Sequence, residues 1–117
     1  MSAPAPNGLS IAGTRLSEWM DSEPQLQVID VRETYEREAG HIEATRHIEL
    51  NRLTAEAASI ERDRPVVFYC RVGSRSGMAA EAFRASGYEA YSLDGGLLRW
   101  AEEGRTLSPE GGIVARH

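Results

Sequence analysis

The chain has a single cysteine, Cys70, and it opens the run Cys70-Arg71-Val72-Gly73-Ser74-Arg75-Ser76. A soft nucleophile thus stands beside two guanidinium groups, two hydroxyls and a glycine. No acid follows until Glu81, although the chain carries a net charge of −5. The apolar run Pro65-Val66-Val67-Phe68-Tyr69 leads in and reads as a strand. The small-residue stretch Gly77-Met78-Ala79-Ala80-Glu81-Ala82-Phe83 leads out and reads as a helix. A cysteine between a strand and a helix can be ringed by loop N–H groups and can face a helix N-terminus. Both favour an anion, and therefore the thiolate. The chemistry open to such a group is nucleophilic, covalent catalysis. The competing reading is a structural thiol buried at a strand end. Gly73, the two serines and the two arginines favour the first.

The elements that must position this loop can be read outward from it. Leu26 to Val31 reads as a buried strand ending near Asp30 and Arg32, so these two residues and Cys70 sit at strand carboxyl ends and can share one rim. Thr34 to Glu38 reads as a short helical turn closed by Gly40, followed by a short strand near His47-Ile48 and a helix over Leu53 to Ile60. Upstream, Leu9 to Ile11 reads as a short strand, and Thr14 as the cap of a helix over Arg15 to Asp21. Downstream of the loop, Met78, Ala79, Ala82 and Phe83 share a helical face. That helix stops near Ser86-Gly87, where glycine suits the position after the last turn. Tyr88 to Leu93 reads as a strand, Asp94-Gly95-Gly96 as a turn, and Leu97 to Ala101 as a last helix ending at Gly104. Strands alternating with helices imply an α/β fold, a parallel sheet covered on both faces, with ligands beyond the strand carboxyl ends. Residues 1–8 are expected to form a flexible N-terminal segment, 9–104 the domain, and 105–117 a loosely packed tail.

Composition narrows the function classes. The chain has 117 residues, one ordinary domain, with 41% hydrophobic and 26% charged residues. The acidic balance argues against a nucleic-acid partner. A lone cysteine excludes an intrachain disulfide framework and fits a reducing compartment. No stretch has signal-peptide or membrane-spanning character, so no membrane partner and a cytoplasmic location are expected. No cluster of Cys, His and carboxylates suggests a metal, and no cofactor is expected.

Four pieces, taken in order, resemble the rhodanese domain. They are Val28-Ile29-Asp30-Val31-Arg32, then Gly40-His41-Ile42, then Cys70 to Ser76, then Asp94-Gly95-Gly96 with Trp100 and Gly104. The resemblance runs from about Ile11 to Gly104 and is best to the single-domain sulfurtransferase type. It implies a rhodanese-like α/β domain, with a central, mainly parallel five-stranded sheet and helices on both faces. It also implies a catalytic Cys70 that carries sulfur as a persulfide. Phosphatases related to this fold place an arginine after a cysteine and five further residues. Here Arg75 follows Cys70 after four, and Ser76 stands at the longer spacing. A smaller ring of N–H groups leaves less room for a tetrahedral oxyanion, so the count favours sulfur transfer over phosphoryl transfer or arsenate reduction. The implied partners are a small anionic sulfur donor, thiosulfate or a persulfide, and a thiol, protein or cyanide acceptor. A non-catalytic regulatory or binding module on the same fold is the other alternative.

Within this reading the N–H groups from Arg71 to Ser76, Val72 and Gly73 included, form the active-site loop. Arg71 and Arg75 are candidates to bind the anionic donor. Ser74 or Ser76 is expected to cap the following helix, with a hydroxyl contact to sulfur as the lesser alternative. Asp30 and Arg32 either support the loop from behind or tie two strand ends together. His41 reads as structural, and Gly95, Gly96 and Trp100 as turn and core. Two departures from the family pattern stand out. Glu43-Ala44-Thr45 and Glu49 replace a Pro-Gly-Ala and a second Pro after Gly40-His41-Ile42. Val72 stands where some thiosulfate-using members carry a lysine, which suits a larger organic persulfide or a protein partner.

Overall fold

The computed structural model describes residues 8–117, so the expected N-terminal segment lies outside the described residues apart from Gly8. The run before Cys70 forms β4 (Val66–Tyr69), with all four residues buried. It lies between β2 (Gln27–Asp30) and β5 (Ala90–Leu93), parallel to both. Two-residue strands close the edges, β1 (Ser10–Ile11) beside β5 and β3 (Arg46–His47) beside β2. The five-stranded parallel sheet has the order β1-β5-β4-β2-β3. The order breaks between β2 and β4, where the chain leaves towards opposite sides, and such a break opens a crevice at the strand carboxyl ends. Cys70 leaves β4 there.

The side-chain period of two along β4 divides the core. Val66, Phe68 and Cys70 join Ile29, Val31, Ala79, Ala80 and Phe83 on one face. Val67 and Tyr69 join Leu16, Trp19, Leu97 and Trp100 on the other. The first face is covered by α4 (Ser74–Ala85), the second by α1 (Gly13–Ser22) and α5 (Gly96–Glu102). A short helix, α2 (Thr34–Ala39), follows β2. Among the described residues no helix is long and apolar enough to cross a membrane.

Several sequence expectations are corrected. Thr14 does not cap α1, because the helix starts two residues earlier, at Gly13, with extended Ala12 as N-cap, and Thr14 Oγ1 instead accepts from Arg105 at 2.7 Å. The helix expected over 53–60 is broken into a 3-10 turn (Leu50–Arg52), one α turn, α3 (Leu53–Glu56), and a second 3-10 turn (Ala57–Ser59). Ser59 Oγ donates to the Glu56 carbonyl at 2.7 Å and competes with continuation of the helix. On α4 the inward face is Ser76, Ala79, Ala80 and Phe83, whereas Met78 and Ala82 are exposed. Ser76 must lie against Cys70, and that fixes the rotation of the helix.

The tail is not loosely packed. Leu107 and Val114 pack on the core face of Tyr69, and Ser108 forms an antiparallel bridge with His41. The Ile113 N–H donates to the Ala39 carbonyl at 2.8 Å. A Cβ on Gly40 would lie 2.4 Å from the Ile113 carbonyl oxygen, so glycine at 40 permits this return of the chain. The tail carries no periodicity because it is held as an irregular strap, by a few isolated backbone bonds and two apolar anchors.

Candidate active site

Cys70 is fully buried between the end of β4 and the start of α4. Gly73, at φ 110, turns the loop back so that its own N–H donates to Cys70 Sγ at 3.0 Å. The Ser76 N–H donates to the same sulfur at 3.4 Å. Ser76 Oγ lies 3.4 Å from Sγ, 2.7 Å from Ser92 Oγ on β5 and 3.3 Å from the Gly73 carbonyl oxygen. The hydroxyl contact to sulfur is therefore made. Gly73, not a serine, is the N-cap of α4, and Ser74 is exposed. Among the described residues the N–H groups of Arg71, Val72, Ser74 and Arg75 find no acceptor within the protein. Those of Ser74 and Arg75 belong to the first turn of α4, where N–H groups project out of the helix end.

The loop is braced from behind by α5. Leu97 and Leu98 donate their N–H groups to the carbonyls of Cys70 and Arg71 at 2.9 and 3.0 Å. Gly96 has φ 61, and a Cβ there would stand 2.4 Å from the Arg71 carbonyl oxygen and 2.7 Å from that of Cys70. Gly95-Gly96 is thus more than a turn, because it lets the α5 backbone touch the loop. Trp100 is buried core, as expected.

The two loop arginines have different tasks. Arg75 makes two parallel bonds to Glu36 on α2, at 2.7 and 2.9 Å, and Glu36 is fully buried. Burial pushes the Glu36 carboxyl up, but Arg75 and the Glu33 N–H (3.0 Å) outweigh it and hold it below the usual glutamate range. The same bond to Glu36 raises Arg75, against its partial burial. Arg75 is committed to holding the loop against α2. Arg71 has no carboxylate partner among the described residues, and its Nε donates to the Ala115 carbonyl of the tail at 3.2 Å. Val72 is half exposed at the tip.

Asp30 and Arg32 are both fully buried and bonded to each other at 2.9 and 2.7 Å, with the Arg32 N–H also on Asp30 at 3.0 Å. Arg32 reaches the Gly40 carbonyl at 2.8 Å. Burial opposes the charge on Arg32, and Asp30 outweighs it, so the guanidinium is held above its ordinary value. Among the described residues neither side chain hydrogen-bonds to residues 70–76; the pair ties the end of β2 to the Gly40 carbonyl after α2. Next to it, burial and the charge of Asp30 push the Tyr69 phenol up to about 12. Its hydroxyl accepts from the Ile42 N–H at 3.1 Å and meets Thr45 Oγ1 at 2.9 Å. This network fixes the connection in which Ala44 adopts φ 65. His41 Nδ1 sits 3.0 Å from the Arg37 carbonyl, a structural contact.

Glu36, Ser92, Gly96 and the tail were not singled out as site residues from sequence. The spacing of Glu33 and Glu36 before a helix is a start signal that marks the acid at its third position. Ser92 lies in an apolar strand with no local motif, and its meeting with Ser76 is purely tertiary. Glu33, Glu36 and His117 bring donor atoms within 4.8 Å of one another, but Glu36 gives both oxygens to Arg75, so the group is an ion-pair cluster rather than a metal-binding set. A groove of about 360 Å³ runs beside Arg75, between Val31, Glu33, Leu50 and His117. A larger one of about 430 Å³, at Pro24, Leu26 and Pro65, lies at the amino ends of β2 and β4, at the far edge of the sheet from Cys70.

A parallel α/β domain with a cysteine held by N–H groups, between a strand and a helix at the sheet's carboxyl edge, defines a class of small cysteine-based domains. Residues 13–103 match the family described as the Rhodanese-like domain, and the chain belongs to that family. It is 45% identical over 77 residues to the uncharacterized protein YqhL of Bacillus subtilis, covering 65% of this chain and 61% of that protein. The chain thus spans about three fifths of that relative. It is 37% identical over 75 residues to the thiosulfate sulfurtransferase GlpE of Pseudomonas aeruginosa, covering 63% of this chain and 68% of that protein. Among solved structures, a rhodanese-related protein from Thermoplasma volcanium superposes with a TM-score of 0.77 at 29% identity, covering 86% of this chain and 97% of that one.

Proposed function

We propose that the protein is a sulfurtransferase that carries sulfane sulfur on Cys70. The observation that carries this reading is the division of labour among the loop N–H groups. Two of them and the Ser76 hydroxyl meet Sγ. Those of Arg71, Val72, Ser74 and Arg75 have no acceptor among the described residues and suit a second, outer sulfur.

In the first half-reaction the Cys70 thiolate attacks the outer sulfur of an anionic donor. A new S–S bond forms, the donor's bond to that sulfur breaks, and the leaving group departs with the electron pair, as sulfite when the donor is thiosulfate. In the second half, a thiolate or cyanide attacks the outer sulfur of the persulfide and restores the Cys70 thiolate. The loop N–H groups stabilise negative charge on sulfur throughout and need no reorganisation. No general base is required, which agrees with the structural contacts of His41.

Arg75 is occupied by Glu36, so attraction of the donor falls to Arg71. The fully buried sulfur suits a slim terminal sulfur atom rather than a bulky tetrahedral centre. The apolar, half-exposed Val72 favours an organic or protein-borne persulfide over thiosulfate. The relative GlpE, named a thiosulfate sulfurtransferase, supports the reaction class.

The test is formation of thiocyanate from cyanide with thiosulfate or glutathione persulfide as donor. Turnover with either donor that Cys70→Ser abolishes supports the reading. Turnover of a phosphate ester, with neither sulfur donor used, would replace it with a phosphatase.

A further inference from the structure

We infer that Ser92 is a positioning residue for the nucleophile, acting through the hydroxyl of Ser76. This rests on the proposed role of Cys70 as the reacting thiolate. Ser92 sits in the middle of β5, 3% exposed, between backbone pairings that fix its place in the sheet. Its Oγ has one hydrogen-bond partner among the described residues, Ser76 Oγ at 2.7 Å. Ser76 Oγ has three neighbours, Ser92 Oγ, the Gly73 carbonyl at 3.3 Å and Cys70 Sγ at 3.4 Å.

Proton accounting gives the contact a direction. The short Ser76–Ser92 bond holds one of the two hydroxyl protons. If Ser76 donates, the Ser92 proton is left buried with no acceptor, which is the costly arrangement for a polar group. If Ser92 donates, both protons are satisfied, and the Ser76 proton is left for the Gly73 carbonyl or for sulfur. An anionic sulfur is the stronger acceptor of the two. Ser92 therefore polarises Ser76 so that its hydroxyl donates to the thiolate, and to the inner sulfur once a persulfide has formed. A chain Ser92→Ser76→Cys70 of this kind is cooperative, each bond strengthening the next.

The expected effect is modest and specific. Thiolate is read from its ultraviolet absorbance as a function of pH, with Cys70→Ser as the blank, which needs no reagent to reach the buried sulfur. Ser92→Ala should lower the thiolate fraction about threefold on the rising limb of that curve, and Ser76→Ala by more. Because Ser92 acts only through Ser76, adding Ser92→Ala to Ser76→Ala should change nothing further. Ser92→Thr, which keeps the hydroxyl, should restore the parent curve. The inference is overturned if Ser92→Ala leaves the curve unmoved, or if it shifts the curve equally with and without Ser76. Thermal melts of each variant identify any that fail to fold, and for those Ser92→Cys, a smaller perturbation with a weak donor, is read in the same way after subtracting Cys70→Ser/Ser92→Cys. Thiolate absorbance does not depend on sulfur transfer. Failure of the sulfurtransferase reading shows separately, as absence of thiocyanate with a normal thiolate curve.

Discussion

Replacing Glu36 by glutamine keeps shape and volume and removes one charge from the pair that ties the Cys70 loop to α2. Breaking a buried ion pair by removing one partner costs about 3–5 kcal/mol when the other charge is stranded. Here the Arg75 side chain retains 14% exposure, so the guanidinium is partly screened by water, and the amide oxygen still accepts one bond. The expected loss for Glu36→Gln at pH 7 is about 2 kcal/mol. In urea unfolding that moves the midpoint down by roughly 1 M. The pH dependence is a second signature. Glu36 is held below its usual range, so its contribution is fully present above the ordinary glutamate value and is lost as pH falls through the lower, folded one. The gap between parent and variant should be complete at pH 7 and close below about pH 4. An unchanged midpoint at pH 7, or a gap that stays constant down to pH 3, would refute the assignment of Glu36–Arg75 as the brace of the loop.

Gly96→Ala should lower stability by about 2–4 kcal/mol and slow sulfur loading, since a Cβ at φ 61 meets the Arg71 carbonyl oxygen at 2.4 Å. Urea unfolding and a loading time course check both effects. Ala44→Gly should stabilise by up to about 1 kcal/mol, because Ala44 holds φ 65 without a glycine, and a melt several degrees higher is the readout. Val72→Lys places a cation at the exposed loop tip and should raise the thiosulfate loading rate several-fold at low salt, with the gain fading as ionic strength rises.

The fold was legible because strand-forming runs and helix stops are local signals. The apolar run 65–69, the glycines at 87 and 104 and the strand-forming run 26–31 each carry their own punctuation. The cysteine loop was legible for the same reason, being one continuous stretch. What escaped was tertiary. Whether Arg71 or Arg75 held an acid depended on where α2 packs, and Glu36 lies 39 residues away from Arg75 in the chain. On α4 Ser76 and Ala80 face inward in place of the expected Met78 and Ala82, because contact of Ser76 with sulfur fixes the rotation. The tail offered no period to read, since it is held by a pair of bonds at His41, single bonds at Ala39 and Arg71, and the apolar contacts of Leu107 and Val114. Ala44 shows the opposite case, where a family glycine is missing and the left-handed turn is kept by the network of Thr45, Tyr69 and Arg37.

The central claim is that Cys70 accepts and holds one sulfur atom. Intact mass after incubation with glutathione persulfide, and separately with thiosulfate, tests it most directly, with Cys70→Ser run alongside. A gain of one sulfur from at least one donor, removed by cyanide and absent in the variant, is expected. No adduct from either donor, with the protein folded and the cysteine reduced, would contradict it and leave a binding module on a rhodanese fold.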